Sequence, residues 1–299
     1  MSTPTVEKLK QGELDIWRIT TASAELLVAE QGAQVLSYSR AGEQPLIWLN
    51  SQADFKQGKP IRAGVPVCWP WFGNLARNPE AIQQMRQSTD PATAHGLVRT
   101  LPWTLATPGL DGDSVTLTFS LPEADGQLPG WPHAARLELK IVLADTLSLA
   151  LTTLNLGVDT LHVSQALHTY FAVSDVRQVS VEEVAGLDYI ETLADWETRR
   201  QDGPLEVTGE TDRIYLATPP HLSIADNGWN RRILIDTQGS ASAVIWNPWI
   251  ARATALPDMA DSGWQGMFCI ETANVMDDAK ALGPGESCTL AVTFSSEPL

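Results

Sequence analysis

A chain of 299 residues with 43% hydrophobic side chains has ample material for a sizeable core and is too apolar to remain disordered. Twenty Lys and Arg against 36 Asp and Glu give a net charge of −16, so the mean field repels phosphate and argues against non-specific nucleic-acid or anionic-membrane binding. The three cysteines (Cys68, Cys269, Cys288) include no CxxC pair and indicate neither a disulfide framework nor a thiolate zinc site.

The first residues carry no apolar signal-peptide core, and no window approaches 18 uncharged apolar residues, so a cytoplasmic globular protein is expected. Apolar residues then recur with a period of two. The predicted strands are 14–19, 25–29, 34–39, 45–49, 114–119, 136–143, 147–154, 162–173, 213–217, 221–226, 232–237, 243–246, 267–271 and 287–294. Turn material such as AGEQP, LDGDS, NLGVDT and GPGES separates them, and 21 Gly and 19 Pro leave little room for long helices. The best helical candidate is 80–86. Without βαβ alternation, internal repeat or composition break, the pattern predicts one all-β domain over 1–299, a large antiparallel β-sandwich.

Eleven tryptophans against four tyrosines is unusual, and several lie beside prolines, at 68–71, 102–103, 130–132 and 246–249. Loop packing and a stacking wall for a sugar ring both fit that composition. The chain has no GxGxxG, no GxxxxGK[ST], no HExxH and no GxSxG. Chemistry would therefore run on His, carboxylates and Arg, with no cofactor or metal expected. Arg62 precedes a nearly uncharged Trp-rich stretch, where it would pair with a carboxylate or hold an anion. His95 and Arg99 flank Gly96 and Leu97 in a second cluster. In extended chain, Ala166, His168 and Tyr170 share one face, as do Cys269 and Glu271 further on. An ionisable group on such an apolar strand is costly unless it is paired or used. Asp212 enters another strand, where a salt bridge would also account for it.

GVPVCWPWFG, AHGLVRTLPW, ALHTYFAVSDV, GETDRIYL, WNPW and MFCIETANV follow in this order over most of the chain. Together they resemble the hexose-6-phosphate mutarotase branch of the aldose 1-epimerase family, over roughly residues 15–295. The resemblance implies a galactose-mutarotase-type β-sandwich and metal-free exchange of the α and β anomers of an aldohexose 6-phosphate, with glucose 6-phosphate the first candidate. Carried over by motif, His168 would be the acid and Glu271 the base, with Arg62, His95, Arg99 and Asp212 binding substrate. Arg62 and Arg99 would take the phosphate. Relatives often carry Gln before the HG pair, where this chain has Ala94. Burial should raise the pKa of Glu271, and a nearby carboxylate should favour charged His168. The expected partner is a small sugar phosphate, with no nucleic acid, membrane or obligate protein partner. Two other readings compete: a glycoside hydrolase with a Glu271–Asp212 carboxylate pair, and a non-catalytic carbohydrate-binding sandwich that would tolerate loss of His168 and Glu271.

Overall fold

The computed structural model describes residues 3–299. Its framework is two large antiparallel sheets. The ten-stranded sheet has Arg231–Gln238, Ser287–Pro298, Leu147–Asn155, Ala135–Leu143 and Ser114–Ser120 side by side in that order. In Leu147–Asn155 every second residue is buried, the signature of a sheet packed on one face. The eight-stranded sheet runs Glu197–Arg200, Asp188–Glu191, Thr211–Tyr215, Ser242–Asn247, Met267–Asn274, Gln165–Leu167 and Val67–Cys68, and Tyr170–Ala172 also pairs with Met267–Asn274. Apolar side chains between the sheets form the main core, and Phe171 meets Phe294 edge-on at 5.3 Å across it. A four-stranded sheet from Thr5–Gln11 to Val35–Arg40 and a two-stranded pair, Leu161–Val163 with Lys280–Leu282, complete the set.

Most predicted strands form within a residue or two of their expected limits. Segment 45–49 does not. There the chain changes partners: Leu46 N–H donates to Tyr38 O, whereas Trp48 N–H donates to Tyr170 O, so no ladder propagates. Segment 162–173 forms three short strands, Leu161–Val163, Gln165–Leu167 and Tyr170–Ala172, because Ser164 and His168 donate their backbone N–H to the loop carbonyls of Pro70 and Pro66. The predicted helix at 80–86 is reduced to Glu80–Gln83. An unpredicted helix, Trp249–Ala255, follows Pro248; its IARATA run suits helix despite the Pro-rich surroundings. Most of the proline-flanked tryptophans are core: Trp69, Trp71, Trp103 and Trp131 are buried, with Trp69 edge-on to Trp131 at 4.7 Å.

Two glycines hold the loops that frame the eight-stranded sheet. Gly64 (φ +65°) and Gly96 (φ +75°) lie so close to other backbone that an added Cβ would meet Val35 O and Trp69 O, each at 1.9 Å. Both the left-handed conformation and the contact exclude a side chain. Gly96→Ala is expected to cost at least about 2 kcal/mol of stability. An unchanged denaturant midpoint would show that this loop can shift at no cost.

Candidate active site

Strand register assembles the site. Leu167 pairs with Thr272 and Tyr170 with Cys269, so the same register sets His168 opposite Glu271 between the two short ladders. Glu271 pairs in turn with Val244, and Val244 with Ile214. The neighbouring rung is Tyr170, Cys269, Trp246 and Asp212. Alternation puts both rungs on the face away from the ten-stranded sheet. They floor a cavity of about 530 Å³.

Loops wall it. Phe72, Gly73, Asn74 and Arg77 form one side, Ala94, His95 and Arg99 another, and Thr192, Leu193 and Trp196 a third; Arg252 and Leu256 close it from the short helix and the residue after it. All six residues predicted from sequence, Arg62, His95, Arg99, His168, Asp212 and Glu271, line this one cavity. Sequence reading missed Tyr170, Trp246, Trp196, Arg77 and Arg252. Tyr170 could have been found, since it shares the face of His168: the rings stack at 4.8 Å, 6° from parallel. Trp246 lies in the WNPW motif and meets both rings edge-on. Among the described residues, seven non-glycine residues have positive φ, and three of them, His95, Trp196 and Met276, line the cavity. Such conformations cost about 1–2 kcal/mol each and cluster where function requires them.

His168 Nε2 lies 3.4 Å from Glu271 Oε1, with the side chains 10% and 2% exposed. His168 Nδ1 and Glu271 Oε2 have no protein partner, so both groups keep unused hydrogen-bonding capacity. Burial pushes Glu271 well above the usual carboxylate range, and the Asp212 charge adds to it. Burial, then His95, Arg99 and Arg62, pushes His168 well below the usual imidazole range. The expected rise for Glu271 is therefore found, but the expectation that a carboxylate would keep His168 charged is not. Desolvation outweighs the pairing, because a carboxylate that is itself neutralised by burial offers little charge to attract.

His95 is neutral, its pKa lowered to about 3 by burial and by Arg99 and Arg62. Gly73 N–H, which can only donate, faces His95 Nδ1 at 3.4 Å, and Cys68 Sγ lies 3.4 Å from the same atom. That assigns the ring proton to Nε2, leaving His95 a hydrogen-bond donor. Burial raises Asp212 to about 6. Arg62 Nε donates to Asp258 Oδ1 at 3.0 Å, so the pairing foreseen for an isolated arginine is present even though Arg62 lines the cavity. Arg99 donates through Nη2 to the carbonyl of Ala94 at 2.8 Å. Cys68 and Cys269 are fully buried, and burial raises both thiols. Among the described residues no group of three or more His, Cys, Asp and Glu gathers as metal ligands, and no helix is long and apolar enough to cross a membrane.

His168 and Glu271 thus lie buried on the open face of a large antiparallel sandwich, ringed by hydrogen-bonding groups. The aldose 1-epimerase profile matches residues 15–295, and the chain belongs to that family. A protein of Escherichia coli K12 named "Putative glucose-6-phosphate 1-epimerase" is 35% identical over 93% of this chain and 89% of its own length. The crystal structure of a "putative mutarotase" of Salmonella typhimurium superposes with a TM-score of 0.87 at 28% identity, covering 98% of this chain and 94% of that one. A galactose mutarotase-like protein of Clostridium acetobutylicum, 15% identical, shares the fold with a TM-score of 0.72 over 99% of both chains. The galactose-mutarotase-type sandwich read from the sequence is the fold of this chain, and its activity is the interconversion of sugar anomers.

The shift of Glu271 sets the sign of a stability test. A carboxyl whose folded pKa is raised contributes no penalty below its unfolded value of about 4.5, and the native state loses stability as pH rises above it. Glu271→Gln removes that loss. The variant should therefore gain in Tm over the wild type as pH rises from about 4.5 to 8, measured by thermal unfolding in a common buffer series. A constant Tm difference across that range would mean that Glu271 ionises normally.

Proposed function

We propose that the chain interconverts the α and β anomers of glucose 6-phosphate or a related aldohexose 6-phosphate, with His168 and Glu271 moving the protons. The observation that carries this reading is the His168–Glu271 pair, facing at 3.4 Å in the floor of the cavity. The names of the relatives support the phosphorylated substrate.

Ring opening needs a proton delivered to the ring oxygen and one removed from the anomeric hydroxyl. The C1–C2 bond of the free aldehyde then turns, and closure reverses both transfers. One proton on the pair suffices. His168 gives it to the ring oxygen as Glu271 takes that of the hydroxyl, leaving neutral His168 and protonated Glu271 beside the open chain; closure restores the start. The local electrostatics favour this neutral distribution, so the site leans toward the state that accompanies the intermediate. His95 Nε2–H donates to a ring or hydroxyl oxygen, and Asp212 accepts from hydroxyls. Arg62 and Arg99 supply positive charge for the phosphate. A glycoside hydrolase would use Glu271 with Asp212 on a glycosidic bond, but the histidine facing Glu271 supplies the partner that anomer exchange requires.

Exchange NMR between the anomeric signals of glucose 6-phosphate tests the function directly. His168→Asn and Glu271→Gln should each slow exchange at least ~100-fold while the fold persists; near-normal exchange in either folded variant would refute the assignment.

The arginines are tested separately. Arg99→Ala should weaken use of glucose 6-phosphate about 10- to 100-fold and scarcely alter turnover of free glucose. Arg62→Ala also leaves Asp258 unpaired, so the double variant Arg62→Ala/Asp258→Asn isolates the loss of the cation. Equal losses on both sugars would make these arginines structural.

A further inference from the structure

Four arginines line the cavity, and two of them, Arg77 and Arg252, belong to none of the motifs that marked the site. Among the described residues neither forms an ion pair with a carboxylate, whereas Arg62 is tied to Asp258. Arg62 commits its Nε to that carboxylate, and Arg99 commits one Nη to the Ala94 carbonyl. A phosphate monoester carries nearly two negative charges on three terminal oxygens, each able to accept more than one hydrogen bond. The two expected arginines leave much of that capacity unmet.

The mountings of the other two are suited to the task. Arg77 ends the turn Leu75–Arg77, which is capped by Asn74 and pinned by Asn78, whose side chain donates to Phe72 O and Asn74 O and accepts from Ser164 at 2.5 Å. Its guanidinium rests over the ring of Trp196, 5.0 Å from the centroid, so an exposed cation is held at the cavity wall without an ion-paired carboxylate, although Glu210 and Asp212 line the same cavity. Arg252 sits in the last turn of Trp249–Ala255, where its charge complements the helix dipole. That accounts for a cation at the helix end. It does not account for its place in the cavity wall, close enough to lower the pKa of Asp212.

We infer that Arg77 and Arg252 form a second cationic pair at the cavity mouth that binds the phosphate of the substrate and selects phosphorylated over free sugars. This rests on the proposed sugar-phosphate activity. The pair acts on binding rather than on proton transfer, because His168 and Glu271 lie on the cavity floor. Trp196 is the resting surface of Arg77, from which the guanidinium turns its donors to the bound anion.

The test measures KM and kcat for glucose 6-phosphate and free glucose in Arg77→Met, Arg252→Met and the double variant. Arg136→Met, an exposed arginine on the strand Ala135–Leu143 away from the cavity, controls for net charge. Each single variant should raise KM for glucose 6-phosphate about tenfold and the double about a hundredfold, with kcat and glucose turnover unchanged. Inhibition by inorganic phosphate should weaken in parallel. If KM in the double variant matches that of Arg136→Met, or if both sugars suffer equally, the pair is not a phosphate site. A wild type that fails to exchange glucose 6-phosphate anomers would overturn the activity and this inference together, whereas an active wild type with indifferent variants overturns the inference alone.

Discussion

Two ionisable side chains face each other at 3.4 Å inside a sheet that leaves them almost wholly dry, and the rest of the cavity answers to that constraint. An ionised carboxylate taken out of water costs several kcal/mol unless it is fully paired. At His168 and Glu271 the pairing is incomplete, since one polar atom on each has no protein partner. The favoured resolution is a neutral pair sharing one proton. In the proposed mechanism that proton passes from Glu271 to His168 across the 3.4 Å contact before ring opening, and the neutral distribution returns with the open chain.

The surrounding groups keep the pair neutral and poised. Burial comes first, and the Arg62 and Arg99 guanidiniums add to it in opposing a proton on His168, as Asp212 does in opposing charge on Glu271. Four arginines line the cavity, together with Glu210, Asp212 and Glu271, in a chain of net charge −16. For the phosphorylated sugar proposed above, those arginines would offset the repulsion of the molecule as a whole. Backbone strain belongs to the same design. His95 and Trp196 hold left-handed conformations in the cavity lining, and a Cβ at Gly96 would disturb the loop that carries His95.

Local pattern carried a good deal of this. The two-residue alternation of 166–171 and 267–271 put His168 with Tyr170, and Cys269 with Glu271, on shared faces, as the stacked rings of His168 and Tyr170 bear out. What alternation cannot encode is register between strands about a hundred residues apart, and register is what sets His168 opposite Glu271. That step was supplied by motif resemblance. The contact of Arg62 with Asp258, 196 residues away, is likewise silent in local sequence. Arg77 and Arg252 were invisible for another reason: they sit on a short turn and a short helix with no apolar periodicity to lend them a direction. The charge state of His168 was misjudged because pairing was weighed without the depth of burial. Segment 45–49 reads as a strand by composition but serves as a corner between partners.

The protonation of Glu271 at neutral pH is the most direct test of this arrangement. A difference infrared spectrum between the wild type and Glu271→Gln, taken without sugar at pH 7, isolates that one carboxyl group. A shared proton held on the neutral pair predicts the loss, in the variant, of a carboxylic-acid carbonyl band. Loss of carboxylate bands instead would show an ionised Glu271 in the empty site, and would contradict the claim that burial keeps the pair neutral.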